Sequence, residues 1–120
     1  MAPATNSTST TRQLVIKSGV VNRVVKELQS YKDEAVTMAS RVDKMEQNNE
    51  DEAEIRQQKR VHAESLAMIP DSEQRLAKAV AELEDLIVSL EEAAEEETPG
   101  AEELEKAKQA VAASGVATSA

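Results

Sequence analysis

Apolar residues recur every seven positions along two stretches of this chain. In the first, Leu14, Val21, Leu28, Ala35 and Val42 fall seven apart, and Val24, Tyr31, Met38 and Met45 each follow one of the last four by three. In the second, Ile55, His62, Ile69, Leu76, Leu83 and Leu90 keep the same spacing. A stripe of period 3.5 holds one face of a helix toward a partner helix. The pattern predicts two long amphipathic helices and nothing strand-like beside them.

Punctuation in the chain sets their bounds. Residues 1–11 are small and polar with little to bury, and read as a disordered tail. Helix 1 is expected over about 14–47. Leu14 keeps the register, and Asn48-Asn49 ends the helix because Asn tolerates the left-handed position after a C-terminus. Helix 2 is expected over about 50–95. Asn49 with Glu52 three residues on resembles a capping box, and Glu50, Asp51 and Glu52 suit the N-terminal dipole. Pro70 falls inside helix 2. It removes a backbone hydrogen bond, yet the heptad register passes from Ile69 to Leu76 undisturbed, so a kink is expected and not a break. Thr98-Pro99 then starts a third helix over about 99–113, with Leu104, Ala107 and Val111 as its stripe, and residues 114–120 fray.

With so short a link between them, helices 1 and 2 must fold back on each other. The apolar face of helix 1 is broad early (Val20, Val21, Val24, Val25, Leu28), and that of helix 2 is broad late (Ala79, Val80, Leu83, Leu86, Ile87, Leu90). An antiparallel hairpin brings the broad parts together, and helix 3 folds back onto them. The expected fold is all-α: an elongated antiparallel three-helix bundle over 12–113, with two coiled-coil-like helices, the second kinked at Pro70, and a short third. Pairing of Arg12, Lys17, Arg23 and Lys26 with Glu84, Asp85, Glu91 and Glu92 is expected to support that register.

Composition narrows the chemistry. The 120 residues include one Tyr, no Phe and no Trp, so the core must be a thin seam of aliphatic side chains with little room for a deep ligand cavity. The net charge of −9 is uneven: Arg12 to Gln47 holds seven basic and five acidic residues, whereas Pro70 to Thr98 holds two basic and ten acidic ones. That balance disfavours nucleic acid and anionic membrane surfaces as partners. There is no Cys, hence no disulfide or thiolate metal site. No apolar run approaches a membrane span, and the first residues lack the basic start and apolar middle of a secretory signal. A cytoplasmic location is expected.

No motif supplies catalysis. His62, the only His, sits at a seam position with Gln58, Lys59, Ser65 and Leu66 around it, and a partly buried structural role is the simpler reading. The acidic run Glu91, Glu92, Glu95, Glu96 and Glu97 lacks the Gly-turned loop of a calcium site and reads as a solvated helix end. Met38, Met45 and Met68 read as core filler. No phosphate loop, dinucleotide fingerprint or nucleophile elbow is present. Neither a catalytic, a metal-binding nor a cofactor-binding residue is therefore expected.

Two segments carry a resemblance. The first is Ile16-Lys17-Ser18-Gly19-Val20-Val21 continuing through Arg23, Val24, Val25, Lys26 and Glu27 to Tyr31. The second is Glu64-Ser65 with Met68-Ile69-Pro70-Asp71 and Arg75-Leu76. Together they resemble the tubulin-binding cofactor A family over about Arg12 to Leu90, and the segment around Pro70 is the more specific. Leu66-Ala67 stand where the family commonly has Arg-Met, and Ser72 where it often has Cys. The resemblance implies a non-catalytic chaperone that needs no cofactor, metal or nucleotide. Such a protein captures quasi-native β-tubulin after the cytosolic chaperonin and passes it to other tubulin-folding cofactors for αβ-heterodimer assembly. It also implies a cytoplasmic, cytoskeleton-associated protein, either monomer or homodimer. Since β-tubulin is expected to be acidic, the docking face is expected to avoid the Glu-rich end. It would use Lys17, Arg23 and Lys26 on helix 1 and Met68, Pro70, Asp71 and Arg75 at the kink. The competing readings are a homodimeric coiled-coil adaptor and a prefoldin-like subunit, the latter weakened by the lack of strands.

Overall fold

A computed structural model of the chain describes residues 2–93 and 100–116, with side chains described over 10–92 and 100–116. Among the described residues it contains three helices and no strand: α1 (Ala2–Gln47), α2 (Glu52–Ala93) and α3 (Ala101–Ser114). The all-α, three-helix organisation is the one expected from the two heptad stretches and the third apolar stripe after Thr98-Pro99. The helices pass through two compact units. Unit 1 comprises residues 1–25 and 75–120, and unit 2 comprises residues 26–74.

Unit 1 gathers pieces of all three helices around an aliphatic core. Leu14, Val21 and Val24 of α1, Leu76, Val80, Leu83 and Ile87 of α2, and Ala107, Ala110 and Val111 of α3 are buried. These are the broad stripes foreseen for helices 1 and 2, with α3 laid against them. Four of the five largest fully buried side chains, Leu14, Val21, Val80 and Leu83, belong here. Burying an aliphatic side chain of this size contributes about 1.5–3 kcal/mol, so this core is the main source of stability in the unit.

Unit 2 is a two-helix hairpin with a thinner seam. Leu28, Ala35 and Val42 of α1 are buried, while Tyr31, Met38, Met45, Ile55, His62 and Ile69 are only half-buried. The best-buried α2 positions are serines: Ser65, and Ser72 with no exposure at all. Each follows a heptad residue, His62 or Ile69, by three, and so completes the α2 seam with small side chains. The Ser65 hydroxyl donates to Met38 Sδ at 3.4 Å, and Lys59 pairs with Glu46 at 3.1 Å. Advancing along α2 thus means retreating along α1, as an antiparallel hairpin requires. Met68 departs from the reading as core filler, for it is 39% exposed.

The α1–α2 turn is a Schellman motif. Asn49 takes φ +52°, its amide bonds to the Glu46 carbonyl at 3.1 Å, and the Glu50 amide bonds to the Met45 carbonyl at 3.0 Å. Asn49 therefore closes α1 and does not cap α2. The α2 N-cap is Asp51, whose carbonyl accepts the Ile55 amide at 3.0 Å. A left-handed residue is already spent on the C-terminus of α1, so the capping position moves two residues on.

Two further boundaries differ from the sequence expectation. The segment read as a disordered tail is helical from Ala2. Extending an existing helix fixes one residue per hydrogen bond, unlike nucleation, and Pro3 falls in the first turn, where its missing N–H is not required. At α3, Thr98 and Pro99 lie outside the described residues, and the N-cap is Gly100, at φ +85°. The acidic residues Glu95, Glu96 and Glu97 and the end of the chain beyond Val116 also lie outside the described residues. Within α2 the helix continues unbroken through Pro70. Pro70 is exposed, which places the missing hydrogen bond where water can replace it.

Candidate docking surface

Concavities among the described residues are open troughs and not enclosed chambers. One in unit 2 lies beside the hairpin turn, lined by Val36, Ser40, Met45, Glu50, Ala53 and Gln57 among others. One in unit 1 lies between α2 and α3, lined by Glu84, Ile87, Val88, Glu91, Lys108 and Val111. No three His, Asp or Glu side chains among the described residues are placed to hold a metal ion, and no helix is long and apolar enough to cross a membrane.

The cross-helix ion pairs expected for the bases of helix 1 do not form. Among the described residues Arg12, Lys17, Arg23 and Lys26 have no ion pair, and Glu91 is instead taken by Lys108 of α3 at 2.5 Å. Hydrogen bonding to the Glu91 carboxylate, and then its charge, holds the Lys108 ammonium above the ordinary lysine value of 10.5. The pair sits at the surface of unit 1, so its role is to tie α3 to α2 and not to tune a reactive group.

Helical geometry divides the seven residues expected to touch a partner. Lys17 lies three residues after Leu14 and four before Val21, both buried, so its stem follows the packed face of α1 and the residue is half-buried. Arg23 is exposed. At about 100° per residue it projects roughly 120° around the helix from Lys17, so the two do not share a face. Arg75 is exposed and, like these two, belongs to unit 1. Lys26, Met68, Pro70 and Asp71 are exposed in unit 2. Asp71 and Arg75 each have partners within the chain.

A second feature of α1 was not singled out from the heptads. Val15 and Ile16 are each 56% exposed. With Gly19 and the exposed Arg12 and Arg23 they fall within about 100° of arc, on the side of the helix away from Leu14 and Val21. A Cβ built on Gly19 would meet nothing within 4 Å, so no neighbour among the described residues requires a glycine there. The sequence carries a signal for this stripe: Val15 and Ile16 are large apolar residues off the 3.5-residue seam, and the first acidic residue of the chain is Glu27. Unit 1 also exposes Val88, and unit 2 exposes Val36 and Leu66.

Comparison with known proteins places this chain in a family. The family model described as "Tubulin binding cofactor A" matches residues 9–111. The chain is 40% identical over 104 residues to tubulin-folding cofactor A of Arabidopsis thaliana, covering 87% of this chain and 89% of that protein. It is 39% identical over 87 residues to tubulin-specific chaperone A of Mus musculus, covering 70% and 81%. The crystal structure of the Arabidopsis thaliana cofactor superposes with a TM-score of 0.78 at 37% identity, over 89% of this chain and 96% of that one. Since the match takes in both heptad stretches, the Pro70 segment and most of α3, the chain belongs to the tubulin binding cofactor A family.

Proposed function

We propose that this chain is a non-catalytic, cytoplasmic tubulin-folding cofactor. In this reading it captures quasi-native β-tubulin after the cytosolic chaperonin, keeps it soluble, and passes it to other folding cofactors for αβ-heterodimer assembly, in association with the cytoskeleton. The observation that carries the reading is the family match over residues 9–111, on a chain whose described residues offer helix surfaces and open troughs. Capture of an aggregation-prone monomer calls for a preformed surface, which loses little conformational entropy on docking. Cofactors and metals have no part in this mechanism.

Contacts are assigned to Arg23 and Arg75 in unit 1 and to Lys26, Met68, Pro70 and Asp71 in unit 2, with Lys17 a peripheral member because of its partial burial. Exposed cations steer an acidic partner to the surface, and reversing their charge lowers the association rate most strongly at low salt.

The test is co-elution of the purified protein with β-tubulin released from chaperonin, with α-tubulin run in parallel. A complex with β-tubulin alone supports the proposal. No complex with either, at micromolar concentration and low salt, leaves a homodimeric coiled-coil adaptor as the better account. Arg23→Glu and Lys26→Glu that bind as tightly and as fast as the wild type would remove Arg23 and Lys26 from the contact set.

A further inference from the structure

The exposed face of α1 in unit 1 is built against the interest of the fold. Val15 and Ile16 keep 56% of their surface in solvent. Gly19 lies in the middle of a 46-residue helix with nothing within 4 Å of where its Cβ would stand. Glycine in a helix interior is destabilising relative to alanine, because it has the most backbone freedom to lose and no side chain to pack. Where a glycine admits a neighbouring backbone or turns the chain, the fold repays that loss. Here neither applies: the helix is continuous, and among the described residues no side chain or backbone uses the vacated space. The notch is flanked by Ile16 and Val15, three and four residues before it, and by Arg23, four residues after it. Arg12 lies one turn before Ile16. Neither arginine has an ion pair among the described residues. No acidic residue precedes Glu27, although the whole chain carries a net charge of −9.

We propose that the stripe Arg12, Val15, Ile16, Gly19 and Arg23 seats an acidic amphipathic segment of the tubulin client, and that Gly19 is kept bare so that one large apolar side chain of that segment can enter between the arginines. The proposal rests on the tubulin-capture reading and adds to it the notch, the apolar pair and the chemistry of the partner. Charge selects the occupant. Two guanidinium groups without an ion pair among the described residues bracket an apolar notch and match carboxylates bracketing an apolar side chain, and guanidinium groups favour bidentate pairing with carboxylates. Apolar contact supplies the affinity and the bracket supplies register and rate.

The experiment measures two properties of Gly19→Ala: its thermal midpoint, and its dissociation constant for β-tubulin released from chaperonin. Both are compared with the wild type, Ile16→Ser and the double variant Arg12→Glu/Arg23→Glu. Replacing a helical glycine whose Cβ meets open space raises the midpoint by a few degrees. A methyl group in the notch is expected to weaken capture about tenfold or more despite that gain, and Ile16→Ser is expected to weaken it similarly. The double charge reversal is expected to lower the association rate and flatten its salt dependence. Gly19→Ala that melts higher yet captures β-tubulin like the wild type overturns the proposal. Failure of the wild type itself to capture β-tubulin is a different result and removes the tubulin reading on which the proposal stands. Sedimentation equilibrium of the same proteins covers the remaining occupant: a wild-type dimer that Gly19→Ala dissociates would give the stripe to a second copy of this chain and overturn the acidic-client assignment.

Discussion

Gly100 is a point at which unit 1 has no room for a side chain, and Gly100→Ala isolates the reason. The residue is the N-cap of α3 at φ +85° and ψ 24°, in the left-handed region. An L-residue there costs about 1–2 kcal/mol from the contact of its Cβ with the backbone. A Cβ on Gly100 would also stand 2.5 Å from Thr11 Oγ1, 3.2 Å from its Cγ2 and 3.3 Å from its Cβ, all on α1. Rotation of Thr11 can move Oγ1 but not Cβ, and a β-branched side chain in a helix has few rotamers to choose from. Overpacking of this kind costs about 1–3 kcal/mol. The sum is about 2–5 kcal/mol against α3 docking. Equilibrium urea unfolding followed by far-UV circular dichroism reads it as a lower midpoint at unchanged slope. Thr11→Ala in the Gly100→Ala background is the control. Removing Oγ1 and Cγ2 should return the steric part and leave the backbone part, so the two substitutions are non-additive by about 1 kcal/mol or more. A loss below about 1 kcal/mol for Gly100→Ala, or strict additivity with Thr11→Ala, would refute the argued close approach of α3 to α1.

Other consequences follow from the packing. Asn49→Gly should stabilise the hairpin turn by a few tenths of a kcal/mol, and Asn49→Ala should cost about 1 kcal/mol, because the C′ position needs φ near +52°; thermal melts of both variants give the order. Ser72→Leu should destabilise unit 2 by about 1–3 kcal/mol, since the side chain is fully buried and a larger one overpacks the seam, whereas Ser72→Cys should be tolerated; urea midpoints compare them. Native-state hydrogen exchange should show weaker protection in residues 26–74 than around Val21, Val80 and Leu83, because the hairpin seam is half-buried and unit 1 has a full aliphatic core. The Lys108–Glu91 pair stabilises while the lysine is protonated. Its folded pKa is raised, so the contribution is present below about 10.5 and is lost as the pH rises through the higher folded value. The difference in melting temperature between wild type and Lys108→Gln should shrink over that alkaline window.

The helices themselves were legible in the chain, because a 3.5-residue repeat leaves a helix only one face to bury. Leu14, Val21, Leu28, Ala35 and Val42 are all buried as that repeat demands, and so are Leu76 and Leu83. The C-terminus of α1 at Asn49 was legible for the same kind of local reason, since few residues accept the left-handed conformation. Periodicity gave less warning of Ser65 and Ser72, because hydrophobicity marks a core position only when the core is apolar, and this hairpin buries small polar side chains, Ser65 against Met38 among them. Helix starts were displaced because caps depend on where the previous element ends: Asn49 served α1, leaving Asp51 to α2, and Gly100 was required by the nearness of Thr11, which no local pattern records.

What the sequence determined alone is the element content, the choice of buried face and the concentration of basic residues at the start of α1, all consequences of order along one chain. What only the tertiary structure decided is which groups meet. Glu91 found Lys108 of α3 and not an arginine of α1, and among the described residues Arg12 and Arg23 have no ion pair beside an exposed Val15, Ile16 and bare Gly19. Coulomb attraction between exposed groups is too weak to choose partners. The packing of the aliphatic core sets the rotation of each helix, and the charges take whatever neighbours that rotation provides.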